Sequence, residues 1–450
     1  MENSLNQYLE LIQGNLATID ANAPEALDAL RPEAVEALRR FGRLPRRGDE
    51  GFPNASPEEM FAPDYGLNIT RRPIPADVAA SFRCDVPNIS TLTAIVVGDS
   101  FHPTATLLKN LPEGIEVMSL ARAAKEHPTL VSQYLNKLAA NSSAPVALNT
   151  ALLQDGVFIR AARGARLDKA IQIVNIFNTP VAMMAVRRVL IVAEEDSALR
   201  VLLCDHSQRA DVDYLSSQVV EIFAGKDASV ELYDIEESSA RTRRLSSVFV
   251  RQDSGASFFS TGCALCGGDS IASSRIDLEG AGASASLGAL VIASGSRHID
   301  NSVLLTHAAP HCTSRQLFKY ALFDDSRGAF GGKVVVRPGA VRTDAAQTNR
   351  NLLVGEHSTM HSDPQLEIYC DDVKASHGAT TGQLDARALF YMRSRGIPED
   401  EARRMLVQAF MMDVADSIRL DALRDRMRLL VEKRLGGDAS ASCADCAACK

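Results

Sequence analysis

The stretch "RRVLIVAEEDSALRVLLCDHSQRADVDYLSSQVVEIFAGKDASVELYDI", residues 187–235, decides the fold. It holds four short runs dense in Val, Ile and Leu: "RRVLIVAE", "ALRVLLCD", "QVVEIFAG" and "SVELYDI". None keeps a helical period, each is bounded by Asp, Gly, Ser or Asn, and β-branched residues are frequent, so each reads as a strand. Working outward, the same texture runs from about residue 145 to residue 382, through "GVFIRAA", "AIQIVNIF", "SSVFVRQD", "SSRIDLEG", "ALVIASG", "SVLLTHA", "YALFDD", "KVVVRPGA", "NLLVGE" and "QLEIYCDDV". Turn clusters recur at Glu195-Asp196, Lys226-Asp227, Asp253-Ser254 and Gly280–Gly282, about 30 residues apart. Short strands at a fixed period of that length are the signature of a solenoid. The rival is an all-β sandwich. Tight-hairpin dipeptides are scarce, Asp155-Gly156 being the one Asp-Gly or Asn-Gly of this span, which disfavours a meander of hairpins. A parallel β-helix needs none, because each strand pairs with its counterpart one coil away.

Helical signals flank this region. Residues 4–42 place Leu and Ala at steps of three and four, with Pro24 and Pro32 at helix starts and Gly42 at a stop. Residues 43–75 are rich in Pro, Gly and charge and read as irregular, and 91–145 mix short strands with helices. After Gly382 the helical period returns. "QLDARALFYMRSRG" closes at Gly396. "IPEDEARRMLVQAFMMDVADSI" starts at Pro398 with Glu399, Asp400 and Glu401 at the positive end of its dipole. Its expected apolar stripe is Ala402, Met405, Leu406, Ala409 and Phe410, and that of the third helix is Leu423, Met427, Leu430 and Val431. The stretch "SHGATTG", residues 376–382, reads as a small-residue turn joining the last strand to the first of these helices.

Composition excludes some functions. The 450 residues are 46% hydrophobic and 23% charged, with a formal net charge of −8, so the chain lacks the concentrated basic surface that nucleic acid requires. No apolar run approaches a membrane span. The opening "MENSLNQYLELIQ" lacks a basic segment followed by an apolar one, so a cytoplasmic location is expected, with the nine cysteines as thiols.

Phosphate-binding motifs fail. "RGAFGGKV" has Arg327 where a phosphate loop needs Gly and Val334 where it needs Ser or Thr, and "GAGASA" at 280–285 precedes β-type sequence rather than a helix. The tail carries Cys443, Cys446 and Cys449 as C-x2-C-x2-C, a spacing at which thiolates can converge on a soft metal, though a fourth ligand is missing and a flexible tail is the plainer reading. Cys263 and Cys266 form a second C-x2-C, within the β region, where small thiols are commonly core residues. Among the late histidines, His377 stands out, because Gly378 and Gly382 leave its ring open to approach. A neutral imidazole is a competent iron ligand whose second nitrogen a carbonyl or carboxylate can fix, and Asp371 and Asp372 are close in sequence.

Residues 347–397, "QTNRNLLVGEHSTMHSDPQLEIYCDDVKASHGATTGQLDARALFYMRSRGI", closely resemble the SufB/SufD family of iron–sulfur cluster assembly proteins. Weaker similarity runs through "ALNTALLQDGVFIRAARGARLDKAIQI" at 147–173. The His-Gly-Ala-Thr version of the histidine motif, with Gly378, Ala379 and Thr380 beside His377, points to the SufD branch. The resemblance implies a mainly β fold with α: a right-handed parallel β-helix between N-terminal and C-terminal helical domains. The expected division is 1–145, 146–382 and 383–436, then a Cys-containing tail at 437–450. It further implies a non-catalytic scaffold that pairs with SufB and docks the ATPase SufC through the C-terminal helices. Candidate contacts there are Leu389, Phe390, Arg393, Arg395, Met405, Leu406 and Phe410. ATP hydrolysis is then the task of SufC, as the failed phosphate loops suggest. His377 would be a ligand to a transient iron–sulfur cluster at the SufB interface, no tightly bound cofactor is expected, and the partner-facing surface would allow the isolated chain to homodimerise. The chain departs from the pattern at Ala375, where many relatives have Cys, and in having no Trp. A β-helix polysaccharide lyase or hydrolase is the enzyme rival, but its grouped carboxylates are missing, since the acidic residues fall mainly at turns. A metal carrier using the three-cysteine tail is the other.

Overall fold

The computed structural model describes residues 3–72 and 91–436. Nineteen strands among them form two sheets that alternate along the chain. From Val157–Ala161 onward successive strands fall in alternate sheets: the odd sheet runs from Ser100–Pro103, Thr91–Val97 and Ala170–Phe177 to Val373–Gly382, and the even sheet from Ile115–Ser119 and Val157–Ala161 to Thr359–Ile368, almost every neighbouring pair being parallel. The result is a parallel solenoid of about eight turns.

The period read from the sequence is built into one corner. Asp196, Asp227, Gly255, Gly282, His311 and Arg342 all adopt left-handed backbone, with φ of 59°, 56°, 69°, 75°, 61° and 58°. Each donates its N–H to a carbonyl in the corner of the next coil, Asp196 to Lys226 and Asp227 to Ser254 at 2.8 Å, Gly255 to Ala281 at 2.9 Å. Asp and Gly tolerate this conformation best, which is why the turn clusters repeat.

The solenoid is wrapped on both outer faces. The N-terminal helices and residues 44–67 cover the even sheet through Leu5, Tyr8, Leu38, Met184, Leu215 and Leu245. A buried charge pins the segment 136–139 to the same sheet: the Glu221 carboxylate pairs with Arg188 at 2.8 Å and accepts the N–H groups of Asn136, Leu138 and Ala139. The C-terminal helices cover the odd sheet over Tyr233, Phe259, Leu290 and Ile292, secured by Arg426 on Glu237 and by Lys319, whose ammonium reaches the Phe410 carbonyl at 2.7 Å and pairs with Asp413.

Four local readings change. Residues 144–151 form a wholly buried helix inside the stretch read as β, capped by the Ser143 hydroxyl and started at Pro145. Strand Ser257–Ala264, "SFFSTGCA", carries too little aliphatic signal to be read, yet pairs on both sides. The stripe of helix Glu399–Asp416 is also different: Ala402, Val407, Met411, Val414 and Ala415 are buried, while Met405 and Ala409 face outward. Most consequentially, 376–382 is not a turn. It is the body of the last strand, Val373–Gly382, paired in parallel with Thr343–Leu353. Its backbone bonds come from the coil beneath, so small polar side chains suffice to hold it.

Candidate functional site

The two ends of the solenoid are built differently. At the first coils, the short strands Ser100–Pro103 and Ile115–Ser119 run antiparallel onto the sheets and terminate them. At the other end, Thr359–Ile368 and Val373–Gly382 are the outermost strands of the two sheets. Each has ten residues, none of them buried, with a pairing edge left open among the described residues. Unpaired strand edges are templates for another chain. Pro364 withholds one N–H from that edge.

Strand register places His377 on this end. Ala375 packs on the internal core, and the Thr381 hydroxyl accepts from Asn351 inside the lumen at 3.2 Å. Residues of this parity therefore face inward, and His377 lies between them at the mouth of the lumen, directly above Gln347. His377 is itself exposed, so the ring is open to approach. The carboxylates close in sequence do not serve it: Asp372 occupies the corner and sits 3.8 Å from Arg342.

The row below His377 escaped sequence reading. Register stacks Leu92, Ile171, Val201, Leu232, Ser260, Leu287, Gln316, Gln347 and His377 along one line inside the odd sheet. It begins aliphatic and ends polar. The Gln347 amide donates to Gln316 at 3.1 Å. Nearby, His307 Nε2 lies 2.9 Å from the Ser314 hydroxyl, and burial lowers the His307 pKa to about 4. The readable signal was spacing: Gln316, Gln347 and His377 recur at the coil period.

No three His, Cys, Asp or Glu residues lie together as a metal site among the described residues, so a cluster held at His377 needs further ligands from elsewhere. Cys263 is buried, and burial raises its thiol pKa and pushes that of Cys266 up to about 12. Both stay protonated, and the second C-x2-C reads as core. Cys370 is half-buried at the corner before the last strand. Cys443, Cys446 and Cys449 lie outside the described residues.

Beyond the mouth, helix Ala386–Ser394 buries no residue. Phe390 is 73% exposed and Tyr391 58%, with Arg395 stacked 5.0 Å from the Tyr391 ring. Leu389 is half-buried, while Arg393, which pairs with Glu399, is exposed. Met405 is exposed, whereas Leu406 is half-buried and Phe410 packs over the Lys319 ammonium. No helix among the described residues is long and apolar enough to cross a membrane.

Comparison with known proteins agrees with this architecture. Residues 176–410 match the SufBD core domain of SUF-system FeS cluster assembly, and residues 2–173 match the SufBD protein N-terminal region. A SufBD family protein of Synechocystis is 26% identical over 402 residues, covering 87% of this chain and 88% of that protein. The iron–sulfur cluster assembly protein SufD of Escherichia coli is 41% identical over 140 residues, 31% of this chain and 33% of that one. SufD of Bacillus subtilis is 24% identical over 331 residues, 72% and 74%. The chain belongs to the SufBD family, on its SufD branch, and its role is in iron–sulfur cluster assembly.

Proposed function

We propose that the chain is a non-catalytic scaffold subunit of a SufB–SufC–SufD-type complex, which presents His377 to a nascent cluster as one ligand among several. The observation that carries this is the open end: two ten-residue edge strands with an inward-facing imidazole at the lumen mouth. A SufB solenoid adding strands to those edges would bring its own ligands to His377. The cluster is cargo, held in passing rather than kept. The exposed helix Ala386–Ser394, with Phe390, Tyr391 and Arg395 unburied, is the docking surface for the SufC ATPase, extended by Met405. These residues project from the covered face next to the open end, so nucleotide-driven movement of the ATPase would reach the cluster interface through one short helix.

Co-expression of the full chain with SufB and SufC tests the reading. Phe390→Asp with Met405→Asp is expected to lose SufC and keep SufB. Ala379→Pro, which disrupts the edge strand, is expected to lose SufB and keep SufC. Unchanged recovery of both partners with all these variants contradicts it.

A further inference from the structure

We propose that Gln347 is a positioning residue for His377: its amide oxygen accepts the N–H of one ring nitrogen, so that the other presents a lone pair outward from the lumen. The inference rests on the reading of His377 as a cluster ligand and deepens it.

Four observations point to this pairing. Gln347 is 2% exposed, and His377 is its register partner in the next coil. The two rows are one strand spacing apart, about 4.8 Å, within reach of an imidazole turning on its side-chain bonds. The Gln347 nitrogen is engaged with the Gln316 oxygen at 3.1 Å. The Gln347 oxygen is sealed from water and has no hydrogen-bond partner among the described residues. A buried amide oxygen left unpaired is costly, and the next polar group inward-facing along its row is His377.

Space for the amide is also built in. Across the lumen stands Gly332, where a Cβ would lie 2.3 Å from the Gln347 nitrogen and 2.8 Å from its amide carbon. Any larger residue there would push the amide out of its row. The geometry fits what an imidazole ligand needs. It binds metal through an unprotonated nitrogen, and an acceptor on the other N–H fixes the tautomer and raises basicity. Gln316 then acts as the floor that orients Gln347.

The test reads the imidazole itself, on the full chain without partners or iron. Histidine-selective 15N labelling, with the His377 signals assigned by their loss in His377→Ala, reports the ring tautomer at neutral pH. One predominant tautomer is expected in the native chain and a mixture in Gln347→Leu. Gln347→Glu retains an acceptor, toward which the Gln316 amide can turn its own N–H, and is expected to restore the single tautomer. In the assembled complex, Gln347→Leu should lower cluster loading about 10-fold or more, the usual effect of removing such a partner, with Gln347→Glu retaining most of it. A tautomer mixture in the native chain, or the same tautomer in Gln347→Leu, overturns the positioning role. Neither result bears on whether His377 is a ligand, which His377→Ala decides separately.

Discussion

One row of inward-facing residues, followed from end to end, compares the two ends of the solenoid. At the closed end it reads Leu92, Ile171, Val201 and Leu232, and at the open end Gln316, Gln347 and His377. Along the row the backbone is the same throughout: parallel strands contributing one residue per coil. The aliphatic coils sit beneath capping strands and helices and supply stability, each buried aliphatic side chain contributing about 1.5–3 kcal/mol. The polar residues of the row contribute little apolar burial and lead to an edge that no part of the described chain covers. A solenoid whose coils contact only their neighbours can separate these tasks, because the last coils need not stabilise the first.

Perturbations on the stabilising side should be large. Glu221→Ala strands the fully buried Arg188 guanidinium and three backbone N–H groups, so urea denaturation should show a loss of about 3–5 kcal/mol. Ile191→Ala, on the fully buried inner face of an early coil, is expected to cost about 2–5 kcal/mol. Gln347→Leu, near isosteric in a late coil, removes an unpaired oxygen but leaves the buried Gln316 oxygen without its donor, so it should cost about 1–3 kcal/mol. Equal costs for Ile191→Ala and Gln347→Leu would erase the contrast between the ends.

Acid sharpens the same comparison. His307 is buried and neutral in the folded chain, with a pKa lowered to about 4 by burial, against about 6.5 when unfolded. The unfolded chain therefore binds the extra proton first as pH falls. The stability associated with neutral His307 is complete above about pH 6.5 and is lost between there and about pH 4, on the order of 3 kcal/mol. Replacing His307 with Gln should flatten that limb in thermal melts recorded across the range, and an unchanged acid limb would remove His307 from the account.

How much was legible follows from where the signal resides. Strands dense in Val, Ile and Leu were readable because aliphatic runs bounded by Asp, Gly and Ser have few other interpretations. The corner period was readable because left-handed backbone selects its residues. Strands 257–264 and 373–382 were not, because their pairing is imposed by the coils beside them and their Ser, Gly, Ala and Thr side chains carry no apolar pattern. His377 was found through its glycine neighbours and the family resemblance, but its setting was misread as a turn. Gln347 was passed over despite its coil-period spacing from Gln316 and His377, because polar residues alternating along a strand, Gln347, Asn349 and Asn351, are ordinarily taken to face solvent. Here they face the lumen, which only the register reveals. The helix Glu399–Asp416 was misjudged for a related reason: Met405 and Val407 are both apolar, and only packing on the odd sheet, which covers Val407 and leaves Met405 exposed, decides between them.

The central claim is that the open end works on clusters and does not hold the fold together. The most direct measurement is His377→Ala in the SufB–SufC-containing complex, with cluster content read by visible absorbance after anaerobic expression and thermal stability of the isolated variant read in parallel. An exposed side chain at the last coil, whose loss removes at most one hydrogen bond to Gln347, should change stability by no more than about 1.5 kcal/mol, so the account predicts a nearly unchanged melting temperature with cluster content reduced several-fold. Full cluster content with the melting temperature unchanged, or a large loss of stability accounting for the lost cluster, would contradict it.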